Sequence, residues 1–507
     1  VYDVIVVGCG PVGATVANLL GGYGRSTLVV EKEVAIHPQP RAIHFDDETM
    51  RIFQAIGLQR EIAAATRPIA GMHFVDPQGR LLLEVSKNAG EHPLYGFPSA
   101  NVFYQPMLEA ILRGGLARFL TVDLQLGWAM ESFAQDEEGV AVILRGGEGE
   151  SSTVRGRFLL GCDGASSLIR RQAGIELSDL GLHQPWLVVD LRQPTPTDEA
   201  NFVRQICDPA RPATFVPSVG DRRRWEFMLL PGESPAEMLR PERVRALIEP
   251  HVDGDVEIER AAVYTFHALL ADRWRAGPVF LLGDAAHQMP PFLGQGMCAG
   301  IRDAHNLAWK LDRVLCGVSS SALLDTYQTE RRPHVAQIIR MARLAGGIIQ
   351  TRRRGSAILR DGVLRTAMAI PPIRRWLRQL ETAVPGLRSG FLAPRNKAAG
   401  KLLPQPIVEC ADGRVDLLDT FLGDGFALIH TRDAPQIEAG MHTLRLIGPH
   451  DPWPGEDNVI RDRDGQLVQW MAAHDAHIFI VRPDRYIFGG YGDWGLVTGD
   501  WELPTDH

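Results

Sequence analysis

The sequence predicts a mixed α/β protein of two or three domains, and three observations carry that expectation. A chain of 507 residues is longer than one hydrophobic core organises. Its opening segment reads as buried strand, helix and buried strand, a parallel crossover unit. From Gly400 onward, short strands return after a long helical stretch, marking a further small α/β unit.

Residues Tyr2 to Val7 form an uninterrupted apolar run, the pattern of a strand buried on both faces. Pro11 to Tyr23 reads as a helix and Thr27 to Val30 as a second buried strand. Between the first strand and the helix lies Gly8-Cys9-Gly10-Pro11-Val12-Gly13, a G-x-G-x-x-G in the strand-to-helix context that gives the pattern meaning. Gly8 permits the tight turn, Gly10 lets a pyrophosphate approach the backbone, and Gly13 allows close helix–strand packing. The helix N-terminus offers free N–H groups and partial positive charge to phosphates. Glu31, followed by Lys32, ends the second strand 18 residues after Gly13, where a ribose-binding acid belongs. The unit is therefore Rossmann-like and predicts a bound adenine dinucleotide, without separating FAD from NAD.

Further along, Arg157 to Leu160 and Val279 to Leu282 are short apolar runs. Trp186 to Asp190 and Arg224 to Leu230 look like strands of a more antiparallel region, since Trp225-Glu226-Phe227-Met228 alternates apolar and polar residues. After Gly296 the texture is helical, with Ile301, Ala304, Leu307, Ala308, Leu311 and Val314 at three- and four-residue steps. Helical sequence continues to about Leu380, broken at Pro371-Pro372. Leu403-Pro404-Gln405-Pro406 reads as a linker, and strands follow at Phe426 to Ile429, Thr443 to Ile447 and Ile478 to Val481.

Composition excludes several classes. Apolar content of 45% and charged content of 22% are those of an ordinary globular chain. A net charge of −8 argues against a nucleic-acid partner, and the basic runs Arg222–Arg224 and Arg352–Arg354 read as solvated surface. The six cysteines form no C-x-x-C pair, zinc pattern or disulfide framework, so no metal is expected and a reducing cytoplasm fits best. No basic leader precedes the first strand, and no uncharged apolar stretch reaches the roughly 18 residues of a membrane span.

The cofactor is decided by a second motif. Val279 to Leu282 leads into Gly283-Asp284-Ala285-Ala286-His287, then Pro290-Pro291-Phe292-Leu293-Gly294-Gln295-Gly296-Met297. A strand ending in Gly-Asp directs a carboxylate at a ribityl hydroxyl. The glycine-rich turn and the helix after it offer N–H groups to the electron-rich pyrimidine edge of a flavin. The predicted cofactor is FAD. His287 reads as a local packing residue.

Gly8–Gly13, Cys162-Asp163-Gly164-Ala165-Ser166-Ser167 with Arg170 beyond it, and Gly283–His287 together resemble the three fingerprints of the class A flavoprotein aromatic hydroxylases, of para-hydroxybenzoate hydroxylase type. In that family the middle motif, with Asp163, is associated with both FAD and NAD(P)H. Within it, Pro40-Arg41-Ala42-Ile43, Asp46-Asp47-Glu48, Cys207-Asp208-Pro209, Glu226-Phe227-Met228, Gly294-Gln295-Gly296 and Arg302-Asp303-Ala304 resemble the 3-(3-hydroxyphenyl)propionate hydroxylase branch. The resemblance implies an FAD-binding domain over 1–75, 100–184 and 268–395, with a sheet-based substrate domain over 76–99 and 185–267. It also implies a thioredoxin-like domain over 400–507, without the redox cysteine pair and with a structural or homodimer-forming role.

It further implies that NADH or NADPH reduces the flavin and that O2 then forms a C4a-hydroperoxide, which hydroxylates a phenol ortho to its hydroxyl group. Polyketide-tailoring hydroxylation, epoxidation or Baeyer–Villiger insertion on the same scaffold stays open, as does a non-catalytic flavin-fold binding protein. By the same resemblance, Arg41 lies against the FAD pyrophosphate, where a guanidinium forms bidentate bonds. Gln105 lies near the ribityl chain and pyrophosphate, and His44 is the candidate base that ionises the phenol. Trp186, Phe215, Arg224 and Phe227 are expected to line an aromatic pocket, with an arginine meeting any substrate carboxylate.

Overall fold

The strand Tyr2–Val7 lies at the centre of the first sheet, with Val4, Ile5 and Val6 fully buried. Thr27–Glu31 and Ser151–Gly161 flank it in parallel, and Val122–Leu126 and Val279–Leu281 extend the parallel run outward on either side. Strands covered on both faces need continuous apolar runs, which is why these segments lack alternation. Pro11–Gly22 packs onto this sheet through Ala14, Val16, Ala17 and Leu20. This computed structural model describes residues 1–86, 93–193, 201–252, 254–379, 384–432 and 441–493.

The second sheet runs in the order His287–Gln288, Glu257–Ala271, Leu177–Arg192, Arg222–Met228, Ala213–Pro217, Phe202–Ile206, Gly71–Val75, Leu81–Ser86. Every pair is antiparallel except Phe202–Ile206 with Gly71–Val75. The expected boundaries at 75/76, 184/185 and 267/268 need correction. Gly71–Val75 belongs to this sheet, and Leu177–Arg192 and Glu257–Ala271 run unbroken through the other two boundaries. Strand periodicity says that a segment pairs, but not with which sheet. Residues 87–92 and 194–200 of the expected substrate domain lie outside the described residues.

The third sheet has the order Val415–Leu417, Ile407–Cys410, Val459–Asp462, His442–Ile447, Ala427–His430, Ile478–Val481, Ile487–Tyr491. Its centre is parallel and its last two strands return antiparallel, as a thioredoxin-like domain requires. Residues 494–507 of the expected span lie outside the described residues. The predicted break at Pro371-Pro372 separates helices Arg354–Ala369 and Pro371–Gln379. All six cysteines are free, and among the described residues no helix is long and apolar enough to cross a membrane.

The helix Gly296–Leu315 joins the units, and residues Cys298 to Leu311 are buried along it. Arg302 on this helix is held by Asp46 and Glu48, and Glu48 in turn accepts the Tyr486 hydroxyl at 2.8 Å. One and two turns on, Asn306 and Lys310 meet Glu330, which also holds Arg482, the residue after strand Ile478–Val481 of the third sheet. Trp309 packs edge-on against Phe426 with ring centroids 5.5 Å apart.

The two basic runs differ. Arg352–Arg354 is exposed as expected, but Arg223 and Arg224 are buried. Those two side chains lie on a strand inside the second sheet, where donors find carbonyls and a carboxylate instead of water.

Candidate active site

A cavity of about 380 Å³ opens between the first and second sheets, within the size range of small-molecule sites. Its floor is the glycine turn of the first crossover. Gly8 has φ +97°, and a Cβ there would sit 2.3 Å from the Cys162 carbonyl oxygen. At Gly13 a Cβ would meet the Gly8 carbonyl oxygen at 1.9 Å, whereas at Gly10 it would meet nothing within 4 Å. Gly8 and Gly13 are thus glycine because of the protein itself, and Gly10 is open toward the cavity that it lines. We expect Gly13→Ala to fail to fold and Gly10→Ala to fold with near-native melting but about 100-fold weaker FAD binding, read by flavin fluorescence titration. Full FAD affinity in Gly10→Ala would contradict the assignment.

Glu31 closes one side of this turn, accepting the Cys9 amide at 2.7 Å. Arg113 also reaches the turn, donating from Nε to the Cys9 carbonyl at 3.0 Å; the sequence reading missed it. Lys32 is exposed. Helix Pro11–Gly22 has no side-chain cap and no acid in its first turn, so its N–H groups are available to an anion.

The opposite end is built by the Gly283–Met297 segment. Gly283 has φ +59°, and its amide donates to Asp303, which also receives the His287 ring at 2.8 Å and Arg331 at 2.9 Å. Asp303 therefore fixes the turn that carries Asp284, a role that its sequence position did not reveal. His287 is fully buried and packs against Trp274, as expected. Asp284 faces the open cavity. Enclosure by protein on its other sides raises its carboxyl above the ordinary value, while His287 and Arg41 pull it down.

Pro291, Gly294, Gly296 and Met297 line the cavity. Helix Gly296–Leu315 starts there without a side-chain cap or an early acid. Gln295 turns inward, accepting from Arg302 at 3.0 Å. Gly294 has φ +64°, and a Cβ there would come within 2.8 Å of the His44 ring, which places His44 on the cavity wall against this turn.

Between the two ends, Gln105 accepts the amides of Arg41 and Ala42, both at 2.7 Å, and gives its own amide to Glu109. Arg41 and Gln105 line the cavity. Asp163 is not among the lining residues. Its carboxylate accepts the Leu168 and Ile169 amides at 2.7 and 3.1 Å and so caps the helix Leu168–Gln172, while its neighbours Cys162 and Gly164 face the cavity. Arg170 ties this motif to the other end, donating to the carbonyls of Ala165 and Ala285.

The expected substrate contacts divide by sheet face. Trp186 is on the cavity side but stands behind Phe266 and Phe292, with ring centroids at 6.3 and 5.8 Å. Phe215 and Phe227 point to the other face, packing with Trp225 beneath the helix Pro241–Ile248, so they are corrected out of the lining. Arg224 lines the cavity but is no free anchor for a carboxylate. Its guanidinium pairs with Asp190 at 2.7 Å and donates to the carbonyls of Pro40 and Arg41. With Arg260, which also reaches the Pro40 carbonyl at 2.7 Å, it clamps the segment that bears Arg41.

Two uncapped helix N-termini, a guanidinium and a carboxylate therefore converge on one cavity, an arrangement that suits a molecule with a diphosphate near one end and an electron-rich ring at the other. A family model described as FAD binding domain matches residues 1–342, and one described as HcaD C-terminal domain matches residues 400–493. The 3-(3-hydroxy-phenyl)propionate/3-hydroxycinnamic acid hydroxylase of Escherichia coli O139:H28 (strain E24377A / ETEC) is 36% identical over 510 residues, covering 96% of this chain and 91% of that protein. The chain belongs to the class A flavoprotein aromatic hydroxylases. It is a flavin-dependent aromatic monooxygenase with FAD as its cofactor.

Solved structures agree on the fold. The flavin-dependent monooxygenase PieE, crystallised with FAD and substrate, matches with a TM-score of 0.79 at 24% identity, over 99% of this chain and 97% of that one. Aklavinone-11 hydroxylase in a ternary complex with FAD and aklavinone matches with a TM-score of 0.79 at 23% identity, over 100% and 99%.

Proposed function

We propose that this hydroxylase takes electrons from NADH or NADPH and an oxygen atom from O2 to hydroxylate a phenol ortho to its existing hydroxyl group. The proposed substrate class is a small phenol similar to 3-(3-hydroxyphenyl)propionate, the compound named for the E. coli relative. One observation carries the reading: the flavin-binding end and an apolar wall of the second sheet share one cavity. Met72, Val203, Val216 and Phe266 of the sheet form that wall, with Ile69 and Phe292 beside them. It accepts an aromatic ring and keeps water from the reacting atoms.

When bound, FAD would supply the redox chemistry of hydride acceptance and dioxygen activation. The chain's own residues do the rest. The Gly10 turn and Arg41 hold the diphosphate, with Gln105, Arg224 and Arg260 keeping the Arg41 segment in place. Asp284 orients the ribityl chain, and the N-terminus of Gly296–Leu315 favours negative charge on the pyrimidine. His44 receives the phenol proton on a ring nitrogen, raising the electron density of the ring that is attacked. Free cysteines throughout fit a cytoplasmic enzyme.

The purified protein should be yellow and should oxidise NADH faster when 3-(3-hydroxyphenyl)propionate is added, with a product heavier by one oxygen. A colourless protein, or NADH oxidation indifferent to every phenol tried, would end the reading. His44→Ala should slow hydroxylation about 100-fold while leaving flavin reduction within a few-fold. Equal losses in the two half-reactions would remove His44 as the base.

A further inference from the structure

Across the apolar sheet wall of the cavity runs one short polar row. Glu226, Thr214 and Gln205 are cross-strand neighbours on three adjacent strands, and all three line the cavity. Thr214 donates to the Gln205 side-chain oxygen at 2.7 Å, which satisfies those two with each other. Glu226 is different. It is 9% exposed, yet among the described residues nothing is hydrogen-bonded or ion-paired to its carboxyl. Its other cross-strand neighbour is Val188, and Arg224, on the same face of its own strand, is already held by Asp190.

A buried carboxylate without a partner is costly, so burial favours the protonated form. Burial raises its pKa to about 7, with Arg224 opposing and Asp190 assisting the rise. A neutral carboxylic acid is a hydrogen-bond donor, and here it faces the space assigned to substrate. We propose that Glu226 is a substrate-binding residue whose neutral carboxyl donates a hydrogen bond to the oxygen of the substrate's hydroxyl group as that group ionises. This rests on the phenol hydroxylase reading above.

The two proton-bearing groups then have separate tasks. His44, on the flavin side, takes the hydroxyl proton: the O–H bond breaks, the electron pair stays on oxygen, and a new N–H bond forms. Glu226, on the sheet side, keeps its own proton and shares it with the resulting oxyanion, stabilising charge where it develops. The charged and titratable groups around Glu226 are Arg224 on its own strand and Asp190 on Leu177–Arg192, with Arg41, His44 and Asp284 across the cavity. The strand Ala213–Pro217 presents only neutral Thr214 and Val216 to the cavity. Because the acid form is the working form, hydroxylation should decline as pH rises past the carboxyl's pKa.

The test uses full-length holoenzyme with 3-(3-hydroxyphenyl)propionate and its dehydroxylated counterpart 3-phenylpropionate, following the change in flavin absorbance on binding and single-turnover hydroxylation. Glu226→Leu should bind the two acids within about two-fold of each other and hydroxylate the phenol about 100-fold more slowly. FAD affinity and substrate-free flavin reduction should be unchanged. Glu226→Gln keeps a donor, so it should retain the rate within a few-fold and lose the alkaline limb of the pH profile. Neither variant should melt below wild type, since no protein partner is lost.

If wild type discriminates the phenol and Glu226→Leu discriminates it equally well, the assignment of Glu226 is overturned and the hydroxylase reading stands. A Glu226→Gln enzyme that keeps the alkaline limb also overturns it. If wild type itself responds to no phenol, the hydroxylase reading falls and this proposal with it.

Discussion

Replacing Arg302 with Met should destabilise the protein by about 3–5 kcal/mol and weaken FAD binding by at least ten-fold. The guanidinium is fully enclosed and held by two carboxylates, Asp46 and Glu48. Removing it leaves both of them buried without their counter-charge, the situation that makes breaking a buried pair so costly. The pairing holds Arg302 charged well above the ordinary arginine range. The effect reaches the cofactor because Arg302 also donates to Gln295, which precedes the first turn of Gly296–Leu315. It reaches the third sheet because Glu48 receives the Tyr486 hydroxyl. Chemical denaturation and FAD titration of the same variant check both effects. Tyr486→Phe removes one neutral donor and should cost only about 1–2 kcal/mol. A larger loss for Tyr486→Phe than for Arg302→Met would contradict this ordering.

The parts of the site legible in sequence are those in which backbone geometry dictates residue type. Gly8, Gly13 and Gly294 sit where a Cβ collides with the protein, and Gly10 where the cavity opens. The two strand-to-helix turns are therefore legible in the sequence as candidate dinucleotide-binding turns. Side-chain direction was less legible. The alternation in Trp225-Glu226-Phe227-Met228 shows that the strand has two different faces, but not which of them meets the cavity. Phe227 goes to the covered face and Glu226 to the cavity, and alternation alone does not tell those two faces apart.

Arg224 posed the same difficulty for charge. Only the fold reveals that Asp190 and the Pro40 and Arg41 carbonyls, distant in sequence, already occupy its donors. Asp163 belongs to a recognisable motif, yet it acts through the helix that it caps. In each case the deciding partner is supplied by another strand or helix, and periodicity holds no record of it.

Acid should loosen the contact between Gly296–Leu315 and the third sheet before it unfolds either one. Glu330 is fully buried at that contact and receives five hydrogen bonds: from Asn306 at 2.7 Å, Lys310 at 2.8 Å, the Phe391 amide at 2.8 Å, and Arg482 at 2.8 and 3.1 Å. Burial alone would raise its carboxyl, but Arg482 and Lys310 together overcome that and hold it down to about 2. Lys310 fares differently, with burial drawing it down to about 8 because it faces one carboxylate in competition with Arg482.

The sign follows from Glu330. A folded-state pKa below the unfolded one gives stability that is fully present above the ordinary value of 4.5 and is lost as pH falls through about 2. Glu330→Gln keeps the shape but removes the charge, stranding Lys310, while Arg482 keeps only its pairing with Asp484 at 2.6 Å. It should cost about 3–5 kcal/mol at pH 7 and flatten stability across the pH 4.5 to 2 window. Trp309 is the natural reporter, with Arg482 at 5.2 Å and Lys310 at 5.5 Å from its ring. Its fluorescence should shift in wild type over that window ahead of the loss of helical circular dichroism. An unchanged acid slope in Glu330→Gln would mean that the acid sensitivity of this contact lies with some other carboxylate.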